Sequence, residues 1–369
     1  MINILFLESS KDFGGQEMRM VALVKRMDKR RFKLTVGAPR SSYLYKHQKQ
    51  LGIKVTPVSM FSTFDIFGLI KIIGLILFHQ IKIVVTYSGK DAWLGLIAGK
   101  LCRCKVVRMK NLELFHHKTS YNFSDVVVVP SIYIKQFLVE RGVHAKKIKI
   151  IYPGIDTETI QFNAQARQTI RERYHIQSHE ILIIYIAFFR RPKSQKVLIG
   201  GLHYLTMQNV KLMLVGDGDE EYIDEIKKLL VDYNLENRVI LTGRQEDTVA
   251  FLSAADIFVF PSLTEAFSRS IIEAMACGLP IVANDIPTVR EALDNGKRGY
   301  IYGYDTPVDM VTKLRRCIEE YPGAKRKAQQ NISYIKEHFS IESMVQEFEA
   351  LFSSILQPQK HVTRQLDNL

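Results

Sequence analysis

Short apolar runs alternate with longer helical patterns along almost the whole chain, and this alternation limits the possible folds more than any other feature. The runs recur at residues 2–7, 34–38, 83–86, 106–107, 126–130 and 148–152, and again at 181–187, 211–215, 239–241, 257–260 and 281–283. Runs this apolar suit strands covered on both faces. Such strands belong to parallel sheets, where each crossover helix packs over the strands it connects. The chain is therefore expected to be α/β. Two series of runs in 369 residues exceed one ordinary core, so two domains are expected. The polar stretch from Asp156 to Gln168 lies between the series and places them at 1–162 and 163–342. Beyond them, Met344, Val345, Phe348, Leu351, Phe352 and Ile355 keep helical spacing. Residues 343–369 then read as a helix and a polar tail that frays.

The richest stretch is 260–285, FPSLTEAFSRSIIEAMACGLPIVAND. An apolar run stops at Pro261, and a short polar loop leads into a helix expected over 270–277. Gly278 is placed to end it, since glycine takes the left-handed conformation at a helix terminus without steric cost. Glu265 lies just before this helix and Glu273 within it. The loop over 266–269 would offer unpaired N–H groups and the positive end of the helix dipole to an anion. Two carboxylates beside it would accept hydrogen bonds from hydroxyls. A phosphorylated sugar carries both groups. The alternative is that the two glutamates only complement the dipole.

Two glycine loops follow strands. Phe13-Gly14-Gly15 follows the first run, and Gly216 and Gly218 follow 211–215. Neither is G-x-G-x-x-G, so the dinucleotide fingerprint is absent, but both let backbone come close to a ligand. The run over 181–187 leads into Arg190, Arg191, Lys193 and Lys196. Four cations there suit a diphosphate; the plainer reading is a solvated basic loop.

Charge is unevenly spread. Residues 1–150 hold 26 Lys and Arg against 9 Asp and Glu, a net of +17 within a total of +13. A polyanionic partner for this half is expected, with an anionic membrane surface or nucleic acid as candidates and a solvated basic face as the alternative. Nothing resembles an RNA-stacking motif or a zinc finger, which argues against nucleic acid. The run at 66–78 is almost wholly apolar but interrupted by Lys71 and too short to cross a bilayer. It reads as a buried or half-buried helix, or as an apolar face resting on a membrane. Cys102, Cys104, Cys277 and Cys317 show no metal-site or C-x-x-C spacing, so reduced thiols in the cytosol are expected. The first run lacks a basic segment ahead of it and reads as a strand rather than a signal peptide.

Together these segments resemble the family 4 glycosyltransferases of the GT-B fold. The resemblance is carried by PSLTEAFSRSIIEAMACGLPIVA with its Glu-x7-Glu spacing, by LMLVGDGDEEYIDEIKKLL and by RVILTGRQEDTVAFLSAADIFVFPS. The early FGGQEMR and the segments 88–94 and 152–156 add to it. It implies two Rossmann-like domains facing across a cleft, with the C-terminal helix packing back on the N-terminal domain. It implies a retaining hexosyl- or heptosyl-type transferase that moves a sugar from a nucleotide-sugar donor to a lipid-linked, lipopolysaccharide or polysaccharide-type acceptor. Neither a metal nor another cofactor is implied. The enzyme would be cytoplasmic and peripheral at the inner membrane face.

By the same resemblance, Glu273 contacts the ribose, Glu265 contacts the donor sugar or lies beside the reacting centre, and the N–H groups near Phe267 and Ser268 meet the diphosphate. Lys193 neutralises the leaving group, and Arg244 lies where the family approaches the base. Gly14, Gly15 and Gly216 line the donor. The family's Arg ahead of the lysine is missing here, where Ala187 and Phe188 stand, so Arg190 and Arg191 are its candidates. Ala266 replaces a family glycine. Asn111 stands where many members carry a histidine, with His116 and His117 nearby. Two alternatives share the fold: a nucleotide-sugar epimerase, and a binding protein without turnover.

Overall fold

A computed structural model describes residues 1–111, 118–303 and 307–357. His116 and His117 lie outside these residues, as does the tail after Gln357. The chain divides into two compact units. The first comprises Met1–Pro130, Ile134–Tyr152 and the described part of Met344–Leu369; the second comprises Ser131–Tyr133 and Pro153–Ser343.

The first unit holds seven strands among the described residues: β1 (Ile2–Leu7), β2 (Phe32–Ala38), β3 (Val55–Pro57), β4 (Ile83–Thr86), β5 (Lys105–Met109), β6 (Val126–Val129) and β7 (Ile148–Ile150). They pair in parallel in the order β3-β2-β1-β4-β5-β6-β7. Ile4 lies beside Leu34 on one side and Ile83 on the other. This register stacks β-branched and leucine side chains on both faces, and β4 is buried throughout. The C-terminal helix, Ile341–Ser354, closes the unit. Phe352 meets Phe6 edge-on at 6.3 Å between ring centroids, and the Arg19 guanidinium lies 5.1 Å over Phe348. Glu349 accepts from the Asp28 N–H at 2.7 Å. The expected helical spacing places Phe348 and Phe352 on this buried face.

The second unit repeats the plan with β8 (Ile181–Ile186), β9 (Val210–Val215), β10 (Val239–Leu241), β11 (Ile257–Phe260), β12 (Ile281–Asn284) and β13 (Tyr300–Tyr302). Their order is β10-β9-β8-β11-β12-β13, again parallel. Polarity alone puts the division at 162, whereas the chain joins this unit from Pro153. The cause is backbone pairing: Ile155 N–H donates to Phe339 O at 2.8 Å, and Ile341 N–H donates to Ile155 O at 2.9 Å. Two strands, β3 and β13, are absent from the sequence reading. Both are three-residue edge strands, Val-Thr-Pro and Tyr-Ile-Tyr, that stand in no longer aliphatic run, and Pro57 is tolerated at such an edge.

Candidate functional site

In the second unit the strand order reverses between β8 and β11. Helices then leave neighbouring strands toward opposite faces, and space opens at the strands' carboxyl ends. The loops that follow these two strands carry Lys193 and Glu265. Lys193 ends a single 3-10 turn, Arg191–Lys193, and Ser194 next to it is left-handed with φ 56°. Leu263 N–H donates to Pro192 O at 3.0 Å and ties the two loops together. The Lys193 ammonium donates to a Glu265 carboxylate oxygen, with the two side chains 15% and 18% exposed. Tyr185 OH shares a 2.8 Å hydrogen bond with Ser262 Oγ, and Asn284 Nδ2 donates to Ser262 O at 3.1 Å. Burial raises the Tyr185 pKa far above its ordinary value, so its hydroxyl stays neutral.

The helix after this loop runs over Arg269–Ala276, one residue earlier than expected at each end. Arg269 Nε donates to Glu273 Oε1 at 2.7 Å one turn away, and Glu273 is 16% exposed. A cation in the first turn opposes the helix dipole, so Arg269 concentrates positive potential where the dipole is already positive. Ser268 precedes the helix. It is buried, and its hydroxyl lies 3.3 Å from Thr288 Oγ1 rather than capping the first turn. The Phe267 ring packs 5.9 Å from that of Phe339.

The remaining second-unit candidates are arranged differently. Gly216 has φ +144°, and a Cβ there would lie 2.0 Å from Ala187 O. Its glycine is therefore required by the joint between the loops after β8 and β9, where Phe189 N–H also donates to Asp217 O at 2.9 Å. Arg191 pairs with Glu225 at 2.7 Å, and Lys196 pairs with the same carboxylate. Arg190 and Arg244 are exposed.

Gly14, Gly15 and Asn111 belong to the first unit. Its strand order reverses between β1 and β4, and the loops there are joined by a buried polar network. Glu8 accepts from Ser10 N–H at 2.8 Å, from Ser88 Oγ at 2.6 Å and from Gln16 Nε2 at 2.5 Å. Gln16 Oε1 accepts from Asn111 Nδ2 at 3.0 Å, and Arg19 donates to Asn111 Oδ1 at 3.3 Å. Glu8 is fully buried, and that burial, aided by the nearby Asp91, raises its pKa to about 8. Gly14 N–H donates to Glu17 Oε2 at 2.7 Å, and a Cβ on Gly15 would meet no atom within 4 Å. Among the described residues no three His, Cys, Asp or Glu side chains group to hold a metal ion. All four cysteines are free thiols.

Two family models match in succession, "Glycosyltransferase Family 4" over residues 13–159 and "Glycosyl transferases group 1" over residues 166–339. The chain belongs to the family 4 glycosyltransferases. Its similarity to N-acetyl-alpha-D-glucosaminyl L-malate synthase of Bacillus anthracis is 29% identity over 220 residues, covering 58% of this chain and 56% of the relative. With the amylovoran biosynthesis glycosyltransferase AmsK of Erwinia amylovora it is 28% over 233 residues, covering 56% and 54%. The matches thus span little more than half the length of these curated relatives. The fold matches that of Anabaena Alr3699/HepE, solved in complex with UDP, at a TM-score of 0.87 and 22% identity over 96% of this chain and all of that one. The two sheets are accordingly the two Rossmann-like domains of the GT-B fold.

Within this family member, reading the sequence singles out Lys193, Glu265 and Glu273 and overlooks Arg269, Gln16 and Glu8. The Arg269–Glu273 spacing of four residues was a readable signal. Glu8 gave none, because its importance lies in burial.

Proposed function

We propose that this chain is a retaining, hexosyl- or heptosyl-type glycosyltransferase. It takes a sugar from a nucleotide-sugar donor to a lipid-linked, lipopolysaccharide or polysaccharide-type acceptor at the cytoplasmic membrane face. The observation that carries the proposal is the pairing of Lys193 with Glu265 and of Arg269 with Glu273 around one helix start. An incoming diphosphate would draw on Lys193, Arg269 and the first-turn N–H groups. The glutamates, released from their cations, would accept hydrogen bonds from hydroxyls of the donor sugar and the ribose. Positive groups fixed in advance stabilise the charge that develops on the leaving diphosphate, so no metal is assigned a part. Gly15, with open space where a side chain would stand, and Asn111 are assigned to the reacting sugar and acceptor. The Anabaena protein was solved with UDP and with UDP-glucose, which supports testing uridine donors first. Nucleic acid is not a proposed partner.

Calorimetric titration with UDP-, GDP- and ADP-sugars tests the donor site. At least one binds the wild type, and Glu273→Ala weakens that binding tenfold or more. No binding by any donor, or unchanged binding in Glu273→Ala, rejects the reading. Product analysis without acceptor separates a transferase from an epimerase. Activity is expected to survive EDTA, and its complete loss would overturn the metal-independent mechanism.

A further inference from the structure

The Ile66–Phe78 helix in the first unit buries one face and leaves an apolar face in water. Gly68, Ile72, Leu75 and Ile76 are buried, and the last three join a core with Leu5, Leu7 and Val84. The exposed positions are Ile66, Phe67, Ile70, Lys71, Gly74, Leu77 and Phe78, which fall on one helical stripe. Phe67 and Phe78 are 81% and 83% exposed, and Phe64 just before the helix is 88% exposed. A helix on the surface of a globular protein normally turns polar residues outward. Here the outward face carries five large apolar residues and one charge, Lys71. The nearby carboxylate, Asp65, is turned inward: it accepts from Ser59 Oγ at 2.5 Å and Gly68 N–H at 2.8 Å and is fully buried. Thirteen residues span only ~20 Å, and no described helix is long and apolar enough to cross a membrane.

Phe61 and Lys71 also border a cavity of about 1360 Å³ at the carboxyl ends of the strands. Arg108 on β5 lines it. This guanidinium is only 7% exposed, lies 4.2 Å over the Tyr121 ring and is hydrogen-bonded to that side chain, while its Nε and Nη1 have no hydrogen-bond partner among the described residues. A buried, incompletely paired cation is costly unless an anion joins it. Lys11, Arg40 and Lys90 also line the cavity, against the exposed Asp12. The nearby buried Asp91 is occupied by hydrogen bonds from Tyr87 N–H at 2.6 Å and Ser9 Oγ at 2.9 Å.

We propose that the first unit binds a phosphorylated lipid at an anionic bilayer surface. The Ile66–Phe78 helix lies flat in the headgroup layer with Phe64, Phe67 and Phe78 inserted, the phosphate meets Arg108 in the cavity, and the lipid chain leaves past Phe61. An amphipathic element of this kind gains from apolar burial and from attraction of basic residues to anionic lipid. The net of +17 over residues 1–150 provides that attraction. The lipid's role as acceptor rests on the glycosyltransferase reading; the membrane contact does not.

Vesicle flotation of the full chain tests this. Three vesicles are compared: phosphatidylcholine alone, phosphatidylcholine with one lipid in three replaced by phosphatidylglycerol, and phosphatidylcholine doped with a polyprenyl phosphate. Wild type is expected to favour both anionic vesicles over the first by at least tenfold. Phe67→Ser with Phe78→Ser lowers binding to both by tenfold or more. Lys71→Glu with Lys90→Glu, also exposed positions, removes the anionic preference. Arg108→Gln, checked for folding by its melting curve, loses the preference for polyprenyl phosphate but keeps that for phosphatidylglycerol. Equal binding to all vesicles, or wild-type binding by the exposed-residue variants, overturns the proposal. Phenylalanine-dependent self-association without lipid overturns it in favour of a second copy. Displacement of the polyprenyl phosphate vesicles by equimolar inorganic phosphate overturns the lipid assignment. Binding of UDP-, GDP- and ADP-sugars is measured in parallel, so a protein that binds vesicles but none of these donors sinks the donor reading alone.

Discussion

The two units share one architecture and handle charge in opposite ways. Each is a parallel sheet whose strand order reverses once, at β1 and β4 or at β8 and β11, and each gathers polar side chains in the loops at that reversal. In the second unit the carboxylates there are ionically paired, Glu265 with Lys193 and Glu273 with Arg269, and partly open to water. In the first, Glu8 and Asp91 are fully buried with hydroxyl, amide and backbone partners, while Arg108 lies buried with two nitrogens unpaired among the described residues. Desolvation outweighs hydrogen bonding for Glu8, which is why its pKa is raised to about 8. One sheet geometry thus supports a site held as ready ion pairs and another whose carboxyl keeps its proton near neutrality.

The largest expected effect breaks the second unit's pairing. Lys193→Ala should lower kcat by about 10²–10³-fold, the scale seen when a group that stabilises developing charge is removed, measured as initial rates at saturating donor. A loss under fivefold would mean that Lys193 only holds Glu265. Next is the first unit's buried acid. Glu8 binds its proton in the folded protein up to pH about 8, whereas an unfolded glutamate releases it near pH 4.3. The folded state is therefore penalised increasingly as pH rises through that window. Glu8→Gln should match wild type near pH 5 and exceed it by a few kcal/mol at pH 8.5, read from urea unfolding at both pH values. A constant difference across that range would place the charge penalty elsewhere.

A smaller effect belongs to Arg269→Ala, which removes a partly exposed cation from a helix start. Donor binding should weaken by a few-fold, on the order of 0.5–1 kcal/mol, with stability almost unchanged. The smallest is Arg191→Ala. Its pair with Glu225 is 70% exposed on the arginine side, so stability should change by less than about 0.5 kcal/mol. Should nucleotide affinity fall tenfold instead, Arg191 leaves Glu225 to bind donor, and the contrast between the units sharpens.

Much of this architecture could be read from residue order. Uninterrupted runs such as Ile257–Phe260 predicted strands buried on both faces, and all four residues there are buried. Gly278, with φ +67°, ends its helix as its position suggested. Gly216 was legible as a loop glycine, and the structure adds a reason no local pattern carried, since the obstruction to a side chain is Ala187 O in a neighbouring loop. The 66–78 run showed its apolarity plainly, but which of its side chains face water depends on what the rest of the unit packs against it.

By itself the sequence determined the α/β class, the repeated crossover plan and the Glu265–Glu273 spacing, because these follow from local periodicity and short-range chain geometry. The tertiary structure alone decided that Lys193 meets Glu265 across 72 residues of sequence. It alone made Glu8 an acid that holds its proton, stripped Arg108 of water, and left Phe67 and Phe78 facing solvent. Burial and desolvation arise from contacts between segments far apart in the chain, and no local pattern records them.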